Sequence, residues 1–306
     1  MRIIKKASEI GFCYGVRNAI KIATLVANNP NTKKPIYLLG SLVHNHHVNE
    51  YFSTLGIIIL NGKSRFDMLD LIKEGTVIIT AHGVSEKVIN KAKEKKLNIV
   101  DATCPYVERT VNEMKKKLTE GHDILFIGKN DHPEAETALS LADNVYLVNN
   151  ISNKKKINNP ILCHQTTMSS YDIDSTYQLL KEKYPDLKKI KMVCNATEKR
   201  QKLMIDLNNH LFKEKSLIIV MGDKTSNNST KLYEMAKRIN KVDVLFVDNI
   251  SELNFNNLKS YDEIHLFGGT STPKSLIDEL YDLLVNLDNI NESFISSKLS
   301  LEEYVK

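Results

Sequence analysis

The sequence predicts an α/β protein built from three pseudo-symmetric small units with parallel sheets, three lobes around one centre. Three observations predict it. Cys13, Cys104 and Cys194 are separated by 91 and 90 residues, a domain-sized interval that points to internal repeats. Each of these cysteines follows a β-rich run and precedes apolar residues at three- and four-residue spacing, so each reads as a strand end meeting a helix start. Two further polar clusters recur at similar offsets behind each cysteine.

The elements follow in order. The first third reads as a strand over 2–6, the junction Gly11-Phe-Cys13-Tyr-Gly15 and a helix over about 16–27. The second reads as a strand over 98–102, the junction Thr103-Cys104-Pro-Tyr106 and a helix to about 118. The third reads as a strand over 189–193, the junction Cys194-Asn-Ala-Thr197 and a helix to about 212. A second strand follows in each third, over 36–39, 123–127 and 217–221, and runs into a glycine and a polar cluster that opens a helix. These clusters hold His44, then His132 and Glu134, then Ser226, Asn227 and Asn228; His44, His132 and Ser226 lie 31, 28 and 32 residues beyond their cysteines. A last polar cluster closes each third: Thr80-Ala-His82-Gly83, Gln165-Thr166-Thr167, and Gly268-Gly-Thr-Ser271-Thr-Pro273. The predicted units are 1–97, 98–188 and 189–287, with a tail over 288–306. Strands alternating with helices imply parallel sheets, and such sheets bind ligands beyond the carboxyl ends of their strands. All nine junctions fall at that edge. Capping and turn chemistry explains any one of them, but explains less well the equivalent placement of Cys, His, Glu, Thr, Ser and Asn.

Composition narrows the class. With 306 residues, 42% hydrophobic and 26% charged, the chain has ample material for a core, which excludes a disordered or small-scaffold reading. No apolar run reaches the roughly 20 residues of a transmembrane helix. Four cysteines without a CxxC pair argue against a disulfide scaffold or a zinc ribbon. The formal charge of +5 comes from scattered lysine runs, at 93–96, 115–117 and 154–156, without interleaved aromatics. They read as solvated surface rather than a nucleic-acid patch. A mildly basic protein suits an anionic small substrate or an acidic protein partner.

Three converging cysteines make a metal site, either zinc or an iron–sulfur cluster with one iron lacking a protein thiolate. Cys163 is a candidate fourth ligand, but it lies inside a predicted strand and reads as a small buried hydrophobe. His44, His82 and His132 stand at equivalent edges and read as site residues; His46, His47, His122, His164, His210 and His265 lack that placement. Pro105, Pro133 and Pro273 stand where a first helical turn accepts proline. Free backbone N–H groups there, with Ser226, Asn228 and Ser271, suit a phosphate or diphosphate, whose charge protonatable histidines would complement. Glu134 reads equally as a first-turn glutamate favoured by the helix dipole and as a proton donor beside a metal.

Together the segments resemble the 4-hydroxy-3-methylbut-2-enyl diphosphate reductase family, also called LytB. The matching stretches run from Gly11-Phe-Cys13-Tyr-Gly-Val16 through Val43-His44-Asn45, Ala81-His82-Gly83-Val84-Ser85, Asp101-Ala-Thr-Cys104-Pro105 and His132-Pro-Glu134. They continue through Gln165-Thr166-Thr167, Cys194-Asn-Ala-Thr197 with Arg200-Gln201, Ser226-Asn-Asn228-Ser229 and Ser271-Thr-Pro273. The resemblance implies a [4Fe–4S] enzyme at the last step of the non-mevalonate isoprenoid route. Such an enzyme removes the allylic hydroxyl of its diphosphate substrate with two electrons and two protons, giving isopentenyl and dimethylallyl diphosphate. It implies Cys13, Cys104 and Cys194 as cluster ligands, with the fourth iron taking the substrate oxygen. It implies diphosphate binding by His44, His82, Ser226, Asn228 and Ser271, with His132, Thr166, Thr167 and Asn227 beside the substrate. Proton delivery falls to Glu134 with Thr166 and His132.

Two departures stand out: Asn227 replaces a more usual second serine, and Tyr14 is an unfamiliar neighbour of the first cysteine. The family also implies ferredoxin or flavodoxin as electron donor. Neither nucleic acid nor membrane is expected as a partner. The expected location is a bacterial cytoplasm, since Met1 directly precedes the first strand, with a plastid stroma after transit-peptide removal as the alternative. The competing function is an iron–sulfur or zinc-binding regulator without turnover.

Overall fold

The chain begins with β1 (Ile3–Lys6) and α1 (Tyr14–Asn28). It continues with β2 (Ile36–Leu39), α2 (His46–Thr54), β3 (Ile57–Leu60), α3 (Arg65–Met68), β4 (Thr76–Ile79), α4 (Glu86–Glu94) and β5 (Asn98–Asp101). Next come α5 (Pro105–Thr119), β6 (Ile124–Ile127), α6 (Pro133–Leu139), β7 (Val145–Leu147), β8 (Ile161–His164), α7 (Ser170–Lys183) and β9 (Lys188–Lys189). The last stretch holds α8 (Asn195–Asp206), β10 (Ser216–Met221), α9 (Asn227–Ala236), β11 (Asp243–Val247), α10 (Phe255–Leu258), β12 (Glu263–Gly268) and α11 (Lys274–Val285). This computed structural model describes residues 2–62, 64–150 and 156–289. Two lysines of the 154–156 run and the predicted tail beyond Asn289 lie outside them. No helix among the described residues is long and apolar enough to cross a membrane.

The strands form three four-stranded sheets, in the orders β3-β2-β4-β5, β7-β6-β8-β9 and β11-β10-β12-β1. Every pairing is parallel. The strand leading into each cysteine therefore does not open its own unit. β5 pairs with β4, β9 with β8, and β1 with β12 at the other end of the chain. The predicted cuts at 97/98 and 188/189 thus detach β5 from its sheet and split β9. The helix after each cysteine packs on the next sheet instead. Val16, Ala19, Ile20 and Ala23 of α1 pack with Ile36, Leu38 and Ile78; Met114 of α5 packs with Ile124 and Phe126; Met204 of α8 packs with Ile218 and Val220. Alternate residues of one strand serve opposite faces, as Leu38 and Leu39 do. Each cysteine consequently sits on a seam between two lobes, and the three seams close into a ring.

Three further differences have physical reasons. The strands β3, β7 and β11 were not anticipated, because they are sheet edges that lead to no polar cluster of the cavity. The strand predicted over 189–193 shrinks to Lys188–Lys189. Ile190 N–H still reaches Leu162 O, but Met192 N–H is taken by His164 Nε2 at 3.0 Å, so an imidazole replaces the sheet partner. Pro105 and Pro133 occupy the first helical turn, whereas Pro273 caps α11 from outside it.

Candidate active site

Each sheet reverses its strand order once, between β2 and β4, β6 and β8, and β10 and β12. Connections leave such a pair in opposite directions and open a crevice at its carboxyl end. The six loops after these strands carry His44 and His82, His132 and Thr166, and Ser226 and Ser271. All open into one cavity, which Cys13, Cys104, Cys194, Glu134, Thr167, Asn227 and Asn228 also line. Every residue expected at the site is brought to it.

Three equivalent bonds fix the cysteines. Cys13 N–H donates to Thr270 O, Cys104 N–H to Ala81 O and Cys194 N–H to Thr166 O, at 3.0, 3.0 and 3.3 Å. Each cysteine is thus tied to the last polar loop of the preceding sheet. Each also occupies the N-cap of a helix, where the helix dipole favours a thiolate. The side chains of Cys13 and Cys104 cap nothing, while Cys194 Sγ meets Thr197 Oγ1 at 3.0 Å. Thr197 Oγ1 accepts from Asn228 Nδ2 at 3.2 Å, and Asn228 Oδ1 accepts from Thr270 N–H at 2.9 Å. A chain of hydrogen bonds therefore joins Cys194 to Cys13 through Thr197, Asn228 and Thr270. Cys163 is elsewhere, fully buried in the core with Phe126 and Met114.

Burial governs the titrating groups. It pushes the Cys104 thiol up to about 11, with Cys13 and Cys194 adding repulsion. It raises Cys194 against the bonds from Thr197. The rings of His44, His82 and His132 lie 4.8, 5.4 and 5.9 Å apart. Burial pulls all three below their ordinary range, His132 to about 3. These histidines are therefore neutral at neutral pH and offer N–H donors. His44 Nε2 and His82 Nδ1 are buried without a partner in the protein. His132 Nδ1 accepts Glu134 N–H at 3.2 Å, so it caps α6 instead of touching the Glu134 carboxyl.

The Glu134 carboxyl is bonded by one residue: Thr166 N–H reaches Oε2 at 2.9 Å and Thr166 Oγ1 reaches Oε1 at 3.0 Å. Burial pushes it up to about 7, outweighing both bonds. Ser226 and Ser271 share a hydroxyl contact of 3.1 Å. Asn227 Nδ2 reaches Thr167 Oγ1 at 2.9 Å, so this departure from the usual serine ties two lobes together. Thr197, Thr270 and Arg65 were missed. Thr197 carried a signal, since it stands three residues after a helix-capping cysteine; Arg65 carried none.

Residues 4–285 match the family model described as LytB protein. This chain belongs to the LytB family. The 4-hydroxy-3-methylbut-2-enyl diphosphate reductase of Geobacillus sp. (strain WCH70) is 39% identical over 293 residues, spanning 94% of this chain and 91% of that protein. The protein of the same name from Macrococcus caseolyticus (strain JCSC5402) is 38% identical over 298 residues, spanning 95% and 91%. Among solved structures, the E-1-hydroxy-2-methyl-but-2-enyl-4-diphosphate reductase from Plasmodium falciparum matches with a TM-score of 0.79 at 29% identity, over 96% of this chain and 89% of that one. A (E)-4-hydroxy-3-methyl-but-2-enyl diphosphate reductase described as the terminal enzyme of the non-mevalonate pathway matches with a TM-score of 0.62 at 27% identity, over 94% and 99%. The three-lobed α/β architecture is thus the family's own.

The iron–sulfur cluster that the family implies fits the residues present. A Cβ on Gly15 would lie 2.4 Å from Cys104 Sγ, so only glycine lets the first turn of α1 approach that thiol. The Cys104 and Cys194 thiols, raised by burial, resist ionisation unless a cation compensates them, and helix N-termini favour the thiolate at all three positions.

Proposed function

We propose that this chain is a 4-hydroxy-3-methylbut-2-enyl diphosphate reductase. The reaction breaks the allylic C–O bond, consumes two electrons and two protons, and releases water with isopentenyl or dimethylallyl diphosphate. The observation that carries this reading is the meeting of three cysteines, a protonatable carboxyl and a polar anion cradle in one cavity. Cys13, Cys104 and Cys194 would hold a [4Fe–4S] cluster, which when bound supplies electrons and a Lewis-acidic iron.

The protein groups divide the remaining work. Ser226, Ser271 and the free N–H groups at the start of α9 would take the diphosphate, with neutral His44 and His82 donating from the opposite wall. Asn228 would hold Thr197 and Thr270 in place, and Asn227 with Thr167 would close the side of the cavity. Glu134, titrating near neutrality, would protonate the departing hydroxyl while Thr166 fixes its orientation; His132 sets the turn that presents it. A ferredoxin- or flavodoxin-like carrier in a cytoplasm completes the proposal, in line with the bacterial sources of the curated relatives. Anaerobic purification tests it. A brown protein with broad absorption near about 400 nm, roughly four irons per chain and turnover of the diphosphate is the expected result. A colourless protein with one zinc overturns it.

A further inference from the structure

Arg65 begins α3 in the first lobe, and its side chain is only 11% exposed. Its Nε is buried without a hydrogen-bond partner. Its ion-pair carboxylate among the described residues, Glu136 Oε2, stands 3.9 Å from Nη1, beyond hydrogen-bond reach. Buried charges are ordinarily paired and bonded, so this guanidinium is under-compensated. Its location gives the reason. A Cβ on Gly40 would lie 3.6 Å from Nη2, and Gly40 opens the loop that carries His44. Glu136 lies on α6, the helix that His132 caps. The guanidinium is thus wedged behind two of the loops that form the histidine wall of the cavity.

We propose that Arg65 supplies the fixed positive charge behind the three-histidine wall and attracts the diphosphate end of the substrate without touching it. This rests on the cavity being the diphosphate site proposed above. Burial depresses Arg65 to about 10, which leaves it cationic at neutral pH. After burial and their own mutual repulsion, Arg65 is a further cause that keeps His82 and His132 neutral, and it acts likewise on His44. Lys129 adds the same sign at His44 and His132, while Asp223 opposes it at His44. The division of labour is then clear: the imidazoles donate directional hydrogen bonds, and a positioning residue behind them carries the charge. Because about 10 still lies well above neutrality, that charge is constant across the physiological range.

Binding of inorganic pyrophosphate to the iron-loaded protein tests this, with iron content and thermal midpoint as controls. At about pH 8, Arg65→Gln should weaken binding at least about tenfold, and Arg65→Lys should restore most of it. At about pH 6 the loss should persist, because burial keeps the imidazoles neutral even without the neighbouring charge. The ratio of variant to wild type at each pH cancels the titration of the ligand itself. Glu136→Gln, at a half-exposed position, should tighten binding by relieving the partial compensation. The proposal falls if Arg65→Gln binds within about twofold of wild type. It falls equally if Lys restores nothing, or if Glu136→Gln leaves affinity unchanged or weaker. A wild type that binds no pyrophosphate overturns the anion site itself, and this proposal with it.

Discussion

Glu134 and Glu263 are both buried, at 5% and 2% exposure, yet they titrate in opposite directions. Glu263 begins β12, at the amino end of the third sheet. Burial alone would raise its carboxyl. His210, Lys5, Lys213 N–H and His265 surround it at 2.8–3.2 Å, outweigh burial and pull it to about 2. Glu134 stands beyond the carboxyl end of β6 with Thr166 as its one hydrogen-bond partner among the described residues, and burial pushes it up to about 7. Similar surface exposure therefore says nothing about role; how deeply each carboxyl is desolvated and which partners it finds decide. One end of the sheets is satisfied from within. The other leaves Glu134, His44 and His82 short of partners, as a surface built for a ligand must be.

The cysteines repeat the contrast, and replacing them should break it most visibly. Cys13→Ser, Cys104→Ser or Cys194→Ser should each reduce bound iron and nearly abolish turnover. Cys163→Ser should leave iron content near wild type, since that thiol, pushed up to about 12 by burial, sits inside the core. Iron lost from the Cys163 variant but kept by the Cys13 variant would reverse the ligand assignment.

The carboxylates come next. Glu134→Gln keeps the shape and the Thr166 O–H bond but cannot cycle a proton, so turnover should fall at least about 100-fold. Glu263→Gln should leave turnover near wild type and cost stability on the order of 1–3 kcal/mol through its charged partners. Steady-state rates with an artificial reductant, measured beside unfolding curves, separate the two. A Glu134 variant within a few-fold of wild type would return that residue to a helix-start role.

The cradle offers a smaller contrast. Ser226→Ala and Ser271→Ala each remove a donor to the diphosphate, worth about 1.5–3 kcal/mol of substrate binding, seen as a raised KM. Asn228→Ala should add a loosening of the link from Cys194 to Cys13, so its iron content should respond more than that of the serine variants. Equal iron retention in all three would show that the link carries no load.

These contrasts also mark what was readable beforehand. Cysteine spacing and strand-end polarity exposed the three lobes and the junctions whose residues line the cavity, because parallel sheets bind at one edge and the sequence repeats that edge three times. Lateral strand order left no such trace. Nothing in 2–6 says that it pairs with β12 at the far end of the chain, since register depends on tertiary packing rather than on local pattern. The depth of burial of His44, His82 and His132 was equally hidden, because it comes from residues distant in sequence. Arg65 follows Ser64 in a short polar stretch with no local sign that the fold covers its side chain to 11% exposure.

The finest test uses the opposite signs of the two carboxylates. Glu263 has a folded pKa of about 2 against an ordinary 4.5. Its depressed value stabilises the protein above about 4.5, and that stability is lost as pH falls toward 2. Glu134 has a folded pKa of about 7 against the same 4.5. Its raised value makes a contribution fully present below 4.5 and lost as pH rises through 7. The penalty of Glu263→Gln relative to wild type should therefore shrink between pH 4.5 and 2. Glu134→Gln should instead gain on wild type between pH 4.5 and 7, because it removes the cost of ionising a buried, under-bonded carboxyl. Urea unfolding midpoints across both windows check this. A Glu134→Gln curve parallel to wild type from 4.5 to 7 would mean that Glu134 ionises as freely as an exposed carboxylate, and the distinction between the two ends of the sheets would fail at its best-defined residue.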